Sequence, residues 1–188
     1  MEVRKLDKTG DPKVLVDNFS GGAHCCTTSW IYGYDANAKR YVFTQHPWGN
    51  AGYSLQDLDR DGIPEFRTRD DRFAYAFASY AGSLYPPQVW SYQQGRMVNV
   101  TRQYPQLIKA EAFQLWQYYL EAKLEPNTEA EVERSSLAAY LAAKYLLGEA
   151  TDGWQRVKRA YQQPNRAEFF VELGKFLQDA GYTAIPQR

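Results

Sequence analysis

Between residues 57 and 65 the chain reads Asp57-Leu58-Asp59-Arg60-Asp61-Gly62-Ile63-Pro64-Glu65, with acids at loop positions 1, 3, 5 and 9 and glycine at position 6. Alternate residues of a tight loop turn their side chains towards one centre, and Gly62 admits the sharp bend. The carbonyl of Ile63, at position 7, adds an oxygen without adding charge. Four carboxylates converging on one point repel each other unless a hard cation lies among them, and a set of about six to eight oxygens suits Ca2+. The expected metal ligands are therefore Asp57, Asp59, Asp61, the carbonyl of Ile63, and Glu65. The bland alternative is an acidic surface turn that holds no ion. Position 12 is Thr68, where a helix-loop-helix calcium loop carries a bidentate Glu, and both flanks read as strands.

A second stretch, Ser20-Gly21-Gly22-Ala23-His24-Cys25-Cys26-Thr27, contains the chain's only cysteines. One reading makes His24, Cys25 and Cys26 ligands of a thiophilic metal such as Zn2+ or Cu+, with His46 as a fourth. Another makes a thiolate at Cys25 or Cys26 the nucleophile of an enzyme, activated by His24 or His46. The third is a Gly-Gly turn feeding a strand in which both cysteines pack as small apolar residues, and it is preferred to the other two. Neighbouring cysteines form only an eight-membered ring, and a disulfide's usual Cα spacing exceeds one peptide step, so they leave the redox compartment undecided.

Other chemistries are excluded or weak. The sequence shows no P-loop, dinucleotide fingerprint, His-Glu-x-x-His or Ser-His-Asp ordering. With 22 basic and 22 acidic residues among 188, the chain lacks the excess of positive charge that binding a phosphate backbone needs, so no nucleic-acid partner is expected. No apolar run approaches the length of a membrane span, and Met1-Glu2-Val3-Arg4-Lys5 does not open a signal peptide. At 44% hydrophobic the chain can bury a sizeable core. Its 15 tyrosines are expected mainly as half-buried sheet residues, while Tyr80 and Tyr85 are candidates for exposed recognition.

The elements that must position these residues change character near Tyr104-Pro105. Before it, short apolar and aromatic runs divided by Gly, Pro, Asn and Asp predict strands over 13–17, 27–34, 40–45, 52–56, 65–69, 73–79, 88–92 and 96–101. After it the period lengthens to that of a helix. Leu107, Ile108, Leu115, Trp116, Tyr119, Leu120 and Leu124 mark one face, ended by Pro126. Thr128-Glu129-Ala130-Glu131 is a capping box for a second helix through Leu137, Leu141, Tyr145 and Leu146, closed by Gly148. Asp152 is placed as the cap of a third helix and Asn165 of a fourth, with Gly181 ending the last. The expectation is an α+β chain, with a β domain over 1–104 and a domain of about four helices over 105–188 packing on or beside the sheet.

The β part also echoes itself. Leu6-Asp7-Lys8-Thr9-Gly10-Asp11-Pro12-Lys13 aligns, 52 residues on, with Leu58-Asp59-Arg60-Asp61-Gly62-Ile63-Pro64-Glu65, and each is followed by an aromatic strand, a tight turn and another strand. This pattern resembles the FG-GAP/VCBS-type repeats of integrin-like propellers, in which a D-x-D-x-D-G-x-x-D/E loop between strands holds calcium. Asp57, Asp59, Asp61 and Glu65 match that motif, with Glu65 replacing the commoner Asp. The earlier unit has Lys5, Asp7, Thr9 and Lys13 at the matching positions and reads as a repeat that has lost its ion. The cysteine-bearing stretch also resembles a segment of uncharacterised cyanobacterial and other bacterial secreted proteins that pair it with such a loop.

The resemblance implies a calcium-binding, non-enzymatic interaction or adhesion module of a secreted or periplasmic bacterial protein, whose partner is an unidentified protein or carbohydrate. Met1 would then stand at a start left after removal of a signal sequence. The alternative is a thiol- or metal-dependent enzyme centred on His24, Cys25, Cys26 and His46.

Overall fold

A computed structural model describes residues 1–9, 11–22, 25–124 and 130–186. Eight strands precede four helices: β1 (Glu2–Arg4), β2 (Lys13–Phe19), β3 (Thr27–Asp35), β4 (Arg40–Gly49), β5 (Ser54–Gln56), β6 (Glu65–Arg69), β7 (Pro87–Gln93), β8 (Arg96–Asn99), α1 (Pro105–Leu124), α2 (Ala130–Leu146), α3 (Ala150–Ala160) and α4 (Arg166–Asp179). This is the expected α+β order. The strands form two four-stranded antiparallel sheets, β1-β2-β3-β4 and β5-β6-β7-β8. The chain divides into two compact units, one of residues 1–71 and 88–100 and the other of residues 72–87 and 101–188. The segment 72–87, assigned above to the β domain, thus belongs to the helical unit.

In the first unit, alternation decides which side chains go inside. Leu15 of β2, Ile31 of β3 and Trp48 of β4 are buried with Leu6, Phe66 and Tyr92. Across β2, β3 and β4 the residues Asp17, Ser29 and His46 lie in one rung. Trp48 donates its indole N–H to the Ser29 hydroxyl at 2.7 Å, Ser29 donates to Asp17, and the Tyr53 hydroxyl donates to the same carboxylate at 2.8 Å. Burial, followed by the hydrogen bond to Asp17, holds the Tyr53 phenol well above its ordinary pKa.

In the second unit the expected strand at 73–79 does not form. Asp71–Phe73 make a 3-10 turn that continues as turns, and Phe73 and Phe77, four residues apart, are buried in the helical core. Phe73 meets Phe176 and Phe77 meets Phe169 edge-on, so these aromatic residues serve a helical packing rather than a period-two surface.

Helix α2 is buried continuously from Leu137 to Ala143, as expected of a helix surrounded by others. It ends in a Schellman cap: Gly148, at φ 74°, donates to the Tyr145 carbonyl, and Glu149 donates to that of Lys144. The predicted capping box over 128–131 and the stop at Pro126 fall at or beside residues outside the described set. Asp152 is not the cap of α3, whose N-cap is Glu149; instead it pairs with Lys144 at 2.7 Å. Asn165 does stand at the N-cap of α4, but its side-chain Oδ1 accepts from the Tyr161 hydroxyl at 2.8 Å and makes no capping hydrogen bond.

Candidate metal site

The acidic loop closes the hairpin of β5 and β6, whose last rung pairs Gln56 with Glu65. Arg60 at φ 64° and Gly62 at φ 85° supply the two left-handed steps that curl the backbone inwards. Asp61 N–H donates to carboxylate oxygens of Asp57 at 3.1 Å and Asp59 at 3.2 Å. Gly62 N–H donates to Asp57 at 3.0 Å, and Ile63 N–H to Asp61 at 2.9 Å. Each aspartate is thus aimed by backbone donors. Asp57, Asp59 and Asp61 each offer one oxygen within 4.8 Å of the others, on the exposed side of the loop. This is the distance over which one cation can bridge hard oxygen ligands.

Glu65 plays a different local part. It is buried, and one of its carboxylate oxygens accepts the Leu58 N–H at 2.9 Å, fastening the start of the loop to its end. It is not one of the three converging carboxylates among the described residues. Ile63 is also buried, so its side chain anchors the turn in the first unit.

A cation already leans on the loop. The Lys8 ammonium lies 3.0 Å from Asp61, with the lysine side chain 82% exposed. This pairing, then the Ile63 N–H, holds the Asp61 carboxyl below the ordinary carboxylate range, with a lesser contribution from the charge of Lys5.

The echoed loop contains a cation of its own. Lys13 sends its aliphatic stem past Gly33, where a Cβ would stand 3.2 Å from Lys13 Cδ, and its ammonium enters the first loop. There Nζ lies 3.3 Å from the Asp7 carboxylate, 3.1 Å from the Thr9 hydroxyl and 2.9 Å from the Asp11 carbonyl. By the 52-residue offset these three oxygens correspond to Asp59, Asp61 and the carbonyl of Ile63. Lys13 itself corresponds to Glu65. The loop of the first hairpin therefore gathers its oxygens around an ammonium supplied by the chain, at the positions expected to serve an ion in the second.

Among the described residues, Asp57, Asp59 and Asp61 are the one such group of possible metal ligands. His24 lies outside the described residues. Cys25 and Cys26 are joined to each other as a disulfide, and no described cysteine is free. Ser20 encloses the pair, its hydroxyl accepting the Cys26 N–H at 2.9 Å. His46 is wedged between the rings of Trp48 and Trp90, 4.3 and 4.5 Å away, and burial lowers its pKa. Sequence reasoning missed the Asp17–Ser29–Trp48–Tyr53 network; the rung joining Asp17, Ser29 and His46 needs the register of three strands to be known.

Residues 108–181, the span from α1 to the end of α4, match the family model described as the sll0997 C-terminal domain. The expected resemblance to FG-GAP/VCBS repeats is therefore corrected: the family found is this one, and no FG-GAP/VCBS family is found. The reason is that a nine-residue acidic loop is a local solution that can be carried by unrelated folds, so its match does not identify the chain around it.

Over 166 residues the chain is 32% identical to a protein of Synechocystis sp. (strain PCC 6803) described as "Probable thylakoid lumen protein sll0997", covering 87% of this chain and 48% of that one. It is also 32% identical over 163 residues to "Uncharacterized protein y4bJ" of Sinorhizobium fredii (strain NGR234), covering 84% of this chain and 25% of that one. The chain thus spans about half the length of the first relative and a quarter of the second. No solved structure matches it. Its helical unit is similar to the sll0997 C-terminal domain, and most of its length is similar to a protein described as lumenal.

Proposed function

We propose that this chain is a calcium-binding, non-enzymatic interaction module working outside the cytoplasm, in the periplasm, a lumen or the secreted space. The observation that carries the reading is the pair of loops. In one, oxygens equivalent to Asp59, Asp61 and the Ile63 carbonyl surround the Lys13 ammonium; in the other, Asp57, Asp59 and Asp61 converge on the exposed side of the loop, with the exposed Lys8 against Asp61. A divalent ion entering the second loop displaces Lys8 and is held by Asp57, Asp59, Asp61 and the Ile63 carbonyl, with Glu65 keeping the loop closed.

Two further points support the reading. A relative's description as a thylakoid lumen protein favours a compartment on the far side of a membrane, where extracellular-type sites of about 10⁻⁴ to 10⁻³ M are filled by ambient calcium. The outer face of the first sheet presents exposed Tyr34, Tyr41 and Phe43 as an uncharged aromatic surface for a protein or carbohydrate partner.

Thermal melting in the presence of Ca2+ and of a chelator tests the reading. A clear rise in Tm with Ca2+, lost in Asp59→Ala, supports it; a melt indifferent to the ion overturns it.

A further inference from the structure

The helical unit contains an open cavity of about 470 Å3 that plays no part in the calcium reading. One wall is a stripe of α1 formed by Lys109, Phe113, Trp116 and Leu120, residues that recur at helical spacing; Tyr140 of α2 and Arg156 of α3 close it. Its floor is aromatic, with the rings of Trp116 and Tyr140 centred 5.0 Å apart and Tyr140 buried. Its lip is apolar: Phe113 is 58% and Leu120 38% exposed to water.

The charges lining the cavity are unequal in effect. Lys144 is held by Glu149 and, at 2.7 Å, by Asp152, so its charge is matched by its own neighbours. The guanidinium of Arg156 lies over the Trp116 ring at 4.0 Å from its centroid and 5.8 Å from that of Tyr140. The same guanidinium hydrogen-bonds the Tyr140 hydroxyl and feels the charge of Asp152, so it is fixed in place, and its remaining N–H donors lie at its rim in a geometry suited to grasping a carboxylate. Lys109 adds a second positive charge on the α1 wall. A volume of this size with apolar walls and a few cationic groups has the make-up of a small-molecule site. Cations are disfavoured by charge, and a fully hydrated anion would gain nothing from the aromatic floor.

We infer that this groove binds a small organic carboxylate with a flat apolar body, the carboxylate meeting Arg156 and Lys109 and the body lying along the exposed side chains of Phe113 and Leu120, beside the half-buried edge of Trp116. The inference does not depend on the calcium loop.

Titration calorimetry of the whole chain with 2-naphthoate tests it, in Ca2+ and in chelator, with 2-naphthalenemethanol as the uncharged probe. Naphthoate is expected to bind at one site with a Kd of about 0.1 to 1 mM in both media, the range open to a ligand of this size. Arg156→Gln and Lys109→Gln should each weaken it, the former about ten-fold, and the alcohol should bind wild type about as weakly as naphthoate binds Arg156→Gln. The inference is overturned by absence of saturable naphthoate binding, by equal binding of the alcohol, or by naphthoate affinity unchanged in both variants. Circular dichroism checks that the variants fold; if Arg156→Gln does not, Lys109→Gln, an exposed change, decides alone.

Discussion

The Lys13 ammonium lies 3.3 Å from the Asp7 carboxylate, with side-chain exposures of only 9% and 7%. A buried pair of this kind is costly to break from one side, because the survivor keeps its desolvation penalty without its partner. Here Thr9 and the Asp11 carbonyl complete the shell around the ammonium. The first loop is thereby closed by the chain's own cation.

Lys13→Met therefore leaves the Asp7 carboxylate buried and uncompensated. We expect a loss of about 3–5 kcal/mol in urea unfolding. Adding Asp7→Asn should restore a substantial part, since the unpaired charge is then removed.

Two groups give the pH dependence its sign. Burial raises the Asp7 pKa, but Thr9 and Lys13 outweigh it, so the folded value lies below the usual carboxylate range. Its contribution is present above about pH 4 and is lost as pH falls through the lower folded value. His46 is held below its ordinary pKa by burial between Trp48 and Trp90. The unfolded chain thus takes up that proton first, and stability falls as pH drops from about 6.5 towards the folded value. Unfolding at pH 7.5 and 5.5 should show this loss in wild type and a flatter profile in His46→Gln.

Gly153 lies inside α3, where propensity alone favours alanine by about 1 kcal/mol. Its missing Cβ is what lets α3 approach α2: a methyl there would stand 2.8 Å from Leu141 Cδ1 and 2.8 Å from Lys144 Cβ. Gly153→Ala should accordingly destabilise the protein by about 1–3 kcal/mol in urea, the reverse of the helix scale.

Cys25 and Cys26 should resist a thiol reagent in the native protein until a reductant is added, because each sulfur is bonded to the other. Replacing both with alanine should leave the calcium response in place. An activity abolished by that change would instead revive an enzyme centred on this stretch.

Much of the fold could be read from local pattern. Leu15 and Ile31 alternate with less buried residues, and α2 and its closing Gly148 follow helical spacing and cap chemistry. β1 escaped because three exposed residues, Glu2 to Arg4, have no buried face to show a period. Residues 73–79 misled because Phe73 and Phe77 are rich in strand-forming character but serve a helical core. The convergence of Asp57, Asp59 and Asp61 was legible because loop spacing alone sets it. The Arg156–Trp116 contact was not, since it joins residues from α1 and α3 that only the packing of helices brings together.

The most direct test of the central claim is calorimetric titration of Ca2+ into the chelator-stripped chain, alongside Asp59→Ala. One saturable site with a Kd of about 10⁻⁴ to 10⁻³ M, absent from Asp59→Ala, is the predicted result. Wild type that takes up no Ca2+ at millimolar concentrations, or a variant that binds it equally well, would contradict the account.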